Sequence, residues 1–297
     1  MIVITAPTGN IGHQVLANVV AGDQPVRVIA RDPARLPAGI RDRVEVVQGS
    51  HGDPAVVTRA FDGADAVFWL LPPDRRAASV EEAYVGFTRP AAEVLRGGGV
   101  KRVVGVSALG RGTPYAGRAG NVTASLAMDD LIAGTGVAFR ALTMPGFMDN
   151  LLRQAGAIKE RGAFFDVVPG DLELPTVATR DIAAVAARLL LDTAWSGQDE
   201  VPLLGPEDLS NDDMAAIISD VLGTPVHYER IPGRTLLDRL TGHDMSAGMA
   251  HAMLDMLTAA ENGLDHGIAR TPRHAIDTPT TFRRWCADTL TPAVRAA

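Results

Sequence analysis

Thr5-Ala6-Pro7-Thr8-Gly9-Asn10-Ile11-Gly12 decides the fold, because of what stands on either side of it. It joins an apolar, β-branched run, Ile2-Val3-Ile4-Thr5, to a helical window at residues 11–20. Glycines at 9 and 12 let the backbone approach an anion and let the following helix pack on the strand, while the free N–H groups at the helix start point at that anion. Ala6 stands where a first glycine is common. A glycine pair alone describes any tight strand-to-helix turn; after the first strand of an alternating array it predicts a pyrophosphate site, with Thr8, Gly9, Asn10, Ile11 and Gly12 as contacts.

That array continues outward. Short β-branched runs recur at residues 26–30, 44–47, 66–70, 102–106 and 138–142, separated by helical windows at 54–61, 80–95 and 124–133. Six strands with intervening helices read as α/β, a doubly wound Rossmann-like parallel sheet. The second half has another texture: a helix at 181–191, a short strand at 201–204, a Ser210 cap before a helix at 214–222, a strand at 226–229, and a mostly helical remainder. The expected division is 1–145 plus about 176–205 for the dinucleotide-binding domain. About 146–175 and 206–297 form a smaller, mostly helical substrate-binding part.

The 297 residues are 46% hydrophobic and 21% charged, with a net charge of -7. Such a chain is neither disordered nor attracted to nucleic acid or anionic lipid, and no run of 18 apolar residues offers a membrane span. The single cysteine, Cys286, excludes an internal disulfide. An apolar strand from the first residue, with no basic segment before it, predicts a cytoplasmic protein. The seven histidines have no paired-ligand spacing, so no metal is expected.

The second strand ends Ile29-Ala30-Arg31-Asp32-Pro33-Ala34-Arg35. A carboxylate at this position suits the ribose hydroxyl of NAD, whereas arginine accommodates a 2′-phosphate. Arg31 and Arg35 can fork around a phosphate, which favours NADPH, with NADH as the alternative. A plain pair of surface arginines beside Asp32 is the competing reading.

These segments, with Gly99-Val100-Lys101-Arg102-Val103-Val104 leading to Ser107, resemble the NmrA-like branch of the atypical short-chain dehydrogenase/reductases. Met144-Pro145-Gly146-Phe147-Met148-Asp149-Asn150 is similar to that branch's segment after the sixth strand, although Met144 replaces the usual arginine. Thr179-Arg180-Asp181, Gly205-Pro206-Glu207 and Thr281-Phe282-Arg283-Arg284-Trp285 look like its later landmarks. The resemblance implies cofactor contacts at Ser50, Leu70, Pro72, Ser107, Pro145, Gly146 and Phe147 as well. It also implies activity on quinones, imines or ketones, or NADP sensing without turnover. The combination is similar to ketoreductases that tailor aromatic polyketides.

Short-chain reductases use a tyrosine and a lysine four residues later, one helical turn apart. Here Tyr84, Tyr115 and Tyr228 are followed at that spacing by Thr88, Ala119 and Pro232, and only Lys101 and Lys159 are lysines among 28 basic residues. The dyad is absent. Ser107 and Tyr115 remain as candidate catalytic groups, and a phenol on the substrate, or a water, is the expected stabiliser of the developing alkoxide. On that expectation Ser107→Ala and Tyr115→Phe each leave turnover within about tenfold. Phe147, Met148, Met249 and Met253 are candidates for an apolar substrate pocket, with residues 162–165 as added wall; Met245, Met249, Met253 and Met256 recur at helical spacing. The predicted partner is a hydrophobic small molecule. The predicted activity is NADPH-dependent reduction of a ketone or quinone in a hydrophobic, polycyclic aromatic natural product, with a noncatalytic NADP sensor as alternative.

Overall fold

The computed structural model describes all 297 residues, which divide into two compact units. Unit 1 comprises residues 1–108, 124–143 and 182–201; unit 2 comprises 109–123, 144–181 and 202–297.

Unit 1 is built on a seven-stranded sheet. Its strands are β1 (Ile2–Ile4), β2 (Val26–Ala30), β3 (Glu45–Gln48), β4 (Ala66–Trp69), β5 (Arg102–Ala108), β6 (Ala138–Met144) and β7 (Gln198–Pro202), in the order β7-β6-β5-β4-β1-β2-β3. The pairs β1–β2, β1–β4, β2–β3 and β4–β5 are parallel, with Ile2 opposite both Val26 and Ala66. Strand order reverses between β1 and β4, the point where such sheets open a ligand crevice at their carboxyl ends. Helices α1 (Asn10–Val20), α2 (Pro54–Phe61), α3 (Phe87–Leu95), α4 (Asn121–Ala133) and α5 (Thr179–Leu191) follow the strands. β1 and β4 are wholly buried, which is why they read as unbroken apolar runs. Trp69, Val57, Val103 and Ile132 meet in one core cluster.

The seventh strand begins earlier than the expected 201–204. Gln198 Nε2 donates to Ala133 O at 2.7 Å, and Phe139 N–H donates to Gly197 O at 2.9 Å, so the segment is fastened to the start of β6 three residues ahead of the apolar run.

Unit 2 contains two small sheets. Leu174–Val177 pairs with Asp208–Leu209 in antiparallel and with Gly146–Phe147 in parallel fashion. Ala163–Asp166 lies parallel to His227–Arg230. Within the expected pocket wall at 162–165, Phe164 is a correction: it is 1% exposed and packs with Phe282, Trp285 and Ile218 in the unit's core, while Gly162 and Phe165 are half-buried. The anticipated cap at Ser210 is a reciprocal one, Ser210 Oγ accepting from Asp213 N–H and Asp213 from Ser210 N–H. Residues 109–123, expected in the nucleotide-binding part, group with unit 2. Leu109 N–H donates to Met144 O, and the backbone at Gly120 lies so close to Ala252 that a Cβ would sit 2.0 Å from its carbonyl oxygen.

Candidate functional site

The turn after β1 is shaped by one close approach. A Cβ on Gly12 would lie 2.0 Å from Ala6 O, and Ala6 itself holds a positive φ of 46°. Only glycine at 12 lets α1 start so near the strand, and Ala6 carries the strain that a glycine would relieve. Gly9 caps α1 without a side-chain hydrogen bond, and the first turn has no acidic residue. Its N–H groups therefore face an anion site of positive potential. Thr5, wholly buried, fixes the neighbouring strand: its Oγ accepts from Leu70 N–H at 2.8 Å and donates to Phe68 O at 3.0 Å.

Parallel pairing brings the carboxyl ends of β1 to β5 to one edge, and with them Thr8, Gly9, Asn10, Ile11 and Gly12, then Arg31, Ser50, Leu70, Pro72 and Ser107. Arg31 and Arg35 are both exposed. Asp32 does not claim them, because its carboxylate accepts from Ala34 N–H at 3.1 Å as the cap of a short helical turn. Ser50 Oγ accepts from Gly52 N–H, tightening the loop after β3.

Two residues at this edge escaped the reading of the sequence. His51 sits edge-on to Trp69 and Phe87, at centroid distances of 5.2 and 4.8 Å, with its Nε2 buried and unpartnered. Burial, then the nearby Arg31 charge, lower its pKa to about 4, against a backbone hydrogen bond to Leu70, so the ring is neutral at pH 7. The other is Asp129, 2% exposed on α4, which accepts a hydrogen bond from the Ser107 hydroxyl. A signal for it was present: a pair of carboxylates, Asp129-Asp130, directly after the apolar Leu126-Ala127-Met128. α4 holds no tyrosine and no lysine.

The remaining candidates belong to unit 2. Tyr115 is half-buried, its ring 5.3 Å from the Arg118 guanidinium carbon. Pro145 is buried, Gly146 exposed and Phe147 half-buried opposite Val177. Met148 is a correction. It is 1% exposed among Leu151, Phe164 and Trp285, because the turn after Phe147 points the next side chain into the core. Met245 precedes the helix Ala247–Glu261 and so leaves the expected methionine face; Met249 is buried, while Met253 is half-buried and its Sδ accepts from Asn121 Nδ2 at 3.9 Å. His251 is exposed against its own helix. Cys286 is buried, its thiol pushed up to about 12 by desolvation, and so is inert.

The landmarks after residue 178 serve structure. Asp149 accepts from both the N–H and the hydroxyl of Thr179, and Asp181 does the same for Thr280, closing the start of α5 and the chain before Phe282.

The geometry fits a dinucleotide: a glycine cradle that a Cβ would fill, an uncapped helix start and two uncommitted guanidiniums. Comparison agrees. Residues 7–193 match the family model described as NAD(P)H-binding. A (4-alkanoyl-5-oxo-2,5-dihydrofuran-3-yl)methyl phosphate reductase of Streptomyces griseus is 30% identical over 97% of this chain and 97% of its own. An NAD(P)H azoreductase of Xenophilus azovorans is 28% identical over 88% and 87%. Among solved structures, the NADPH-dependent quinone oxidoreductase of Escherichia coli complexed with NADPH superposes with a TM-score of 0.78 at 22% identity, covering 100% of this chain and 99% of that one. No helix of the structure is long and apolar enough to cross a membrane. The chain belongs to the NAD(P)H-binding family.

Proposed function

We propose that the protein is an NADPH-dependent reductase acting on a ketone or quinone carbonyl of a hydrophobic, polycyclic aromatic natural product. The observation that carries the cofactor choice is the pair Arg31 and Arg35, exposed and without carboxylate partners beside a glycine cradle fit for pyrophosphate. When bound, NADPH supplies the hydride. Gly9 and Gly12 admit the pyrophosphate to the helix start, and the arginines hold the 2′-phosphate. The relatives named as quinone, azo and furanone-type reductases support an electron-poor acceptor. The half-buried, apolar Phe147 and Met253 support a hydrophobic one.

Steady oxidation of NADPH with a panel of aromatic ketones and quinones tests the reading, with product identified. Turnover with at least one polycyclic carbonyl is expected. Tight NADPH binding with no consumption across the panel would favour a sensor, the reading that a helix α4 without tyrosine or lysine also suits.

A further inference from the structure

Asn121 is a buried side chain with half of its hydrogen-bonding capacity unused. It is 8% exposed, and its Oδ1 is shut away from solvent with no partner. Its Nδ2 reaches only the Met253 sulfur, at 3.9 Å. Both residues belong to unit 2, Asn121 as the first residue of α4 and Met253 on the helix Ala247–Glu261. In parallel strand-helix arrays the helices begin at the edge where ligands bind.

The neighbours of Asn121 fix its place. Gly120 has a positive φ of 50°, and a Cβ there would come within 2.0 Å of Ala252 O, so only glycine lets the two segments approach. Thr123 Oγ donates to Ala116 O at 2.7 Å and accepts from Ala119 N–H at 2.8 Å, which ties the preceding loop to the first turn of α4. The backbone around Asn121 is therefore not free to shift and offer Oδ1 another partner. An acceptor left unmet in the interior is costly, and native structures keep few of them without a use. Its cover, by contrast, is soft. A thioether is a weak acceptor, and the half-buried Met253 side chain turns about three bonds without leaving any strong polar group unpaired.

We propose that Asn121 anchors the substrate: the Met253 side chain rearranges, and Asn121 Oδ1 accepts a hydrogen bond from a phenolic hydroxyl of the aromatic ring system, remote from the reacting carbonyl. This rests on the reductase reading and narrows it to aromatic carbonyl compounds that carry a free hydroxyl. The chemistry of the acceptor selects the donor. An amide oxygen only accepts, so the group opposite must bring a proton. A phenol is uncharged at neutral pH and brings that proton on a flat apolar body, against which methionine packs well.

The test measures dissociation constants for α-tetralone and for ring-hydroxylated α-tetralones whose hydroxyl lies too far from the carbonyl to bond it. Calorimetric titration of the protein loaded with oxidised NADP keeps hydride transfer out of the measurement. At least one hydroxylated ligand should bind wild type about tenfold more tightly than the parent ketone, the size of a neutral hydrogen bond to a buried partner. Its methyl ether, which has no proton to donate, should lose that advantage. Asn121→Leu should bring the preference within about twofold, whereas Asn121→Asp, which keeps an acceptor oxygen, should retain it. Met253→Ala, which removes the cover, should retain the preference too. In NMR of methyl-labelled methionine, the signal lost in Met253→Ala should move when the hydroxylated ligand is added to wild type. Equal affinity for hydroxylated and parent ketones, a preference that survives Asn121→Leu, or a Met253 signal that stays in place would each overturn the proposal. If Asn121→Leu does not fold, the Met253 signal and the methyl ether decide. Turnover of polycyclic ketones with no hydroxyl preference removes this inference alone. A preference that depends on Asn121, in a protein that consumes no NADPH, removes the reductase reading and leaves the ligand site standing.

Discussion

Unit 1 and unit 2 each bury an apolar core, but their strands are paired by different means. In unit 1 each strand pairs with a neighbour supplied by a repeating strand-helix step, so β1 finds β2 and β4 in a single register. In unit 2 the pairings join distant segments: Phe164 lies opposite Tyr228, with ring centroids 5.4 Å apart, and Pro175 lies opposite Asp208. The difference teaches that the cofactor half is written in local pattern, whereas the other half exists only once the chain has closed on itself.

If that contrast is right, damage to each unit should show in a different measurement. Phe164→Ala removes a ring that is 1% exposed from the centre of unit 2. It should cost about 3–5 kcal/mol in denaturant unfolding, while the folded fraction keeps its NADPH affinity. A parallel collapse of cofactor binding would erase the distinction between the units. Gly12→Ala should do the reverse. The added carbon meets Ala6 O at 2.0 Å, so NADPH affinity should fall by at least about a hundredfold, roughly 3 kcal/mol, in calorimetric titration.

His51 sharpens the contrast through pH. Its folded pKa of about 4 lies below the ordinary 6.5, so the unfolded chain binds the extra proton. Stability from this residue is complete above about pH 6.5 and is lost as pH falls towards about 4. Between pH 7 and 5 wild type should lose about 2 kcal/mol more than His51→Phe, read from urea midpoints. Equal slopes would show that the ring is not held neutral. The smallest effect is expected from Arg31→Ala, about tenfold in the ratio of NADPH to NADH dissociation constants, or about 1.4 kcal/mol. No change in that ratio would remove the arginine fork.

The same contrast explains how much was legible in advance. The glycine turn, the strands of unit 1, the Ser210 cap and the arginines after β2 are local features, each signalled within a few residues. Phe164 looked like pocket wall because its strand partner, His227–Arg230, lies far along the chain and nothing near residue 164 announces it. Met148 looked like Phe147's companion, although adjacent residues leave a turn in different directions, and one goes to the core. Asp129 was hidden for the opposite reason. Its residue type was visible beside Asp130 in α4, but its meaning depends on Ser107, a neighbour only after β5 and α4 pack. Absence was also legible: the missing tyrosine–lysine pair needed no fold at all.

The central claim, that this cradle serves hydride transfer and not mere cofactor sensing, is tested most directly with NADPH deuterated at the transferable position of the nicotinamide, incubated with a polycyclic aromatic ketone. The account predicts one deuterium on the new carbinol carbon for each cofactor oxidised. Cofactor bound tightly, with no deuterium in any product and no oxidised nicotinamide, would contradict it.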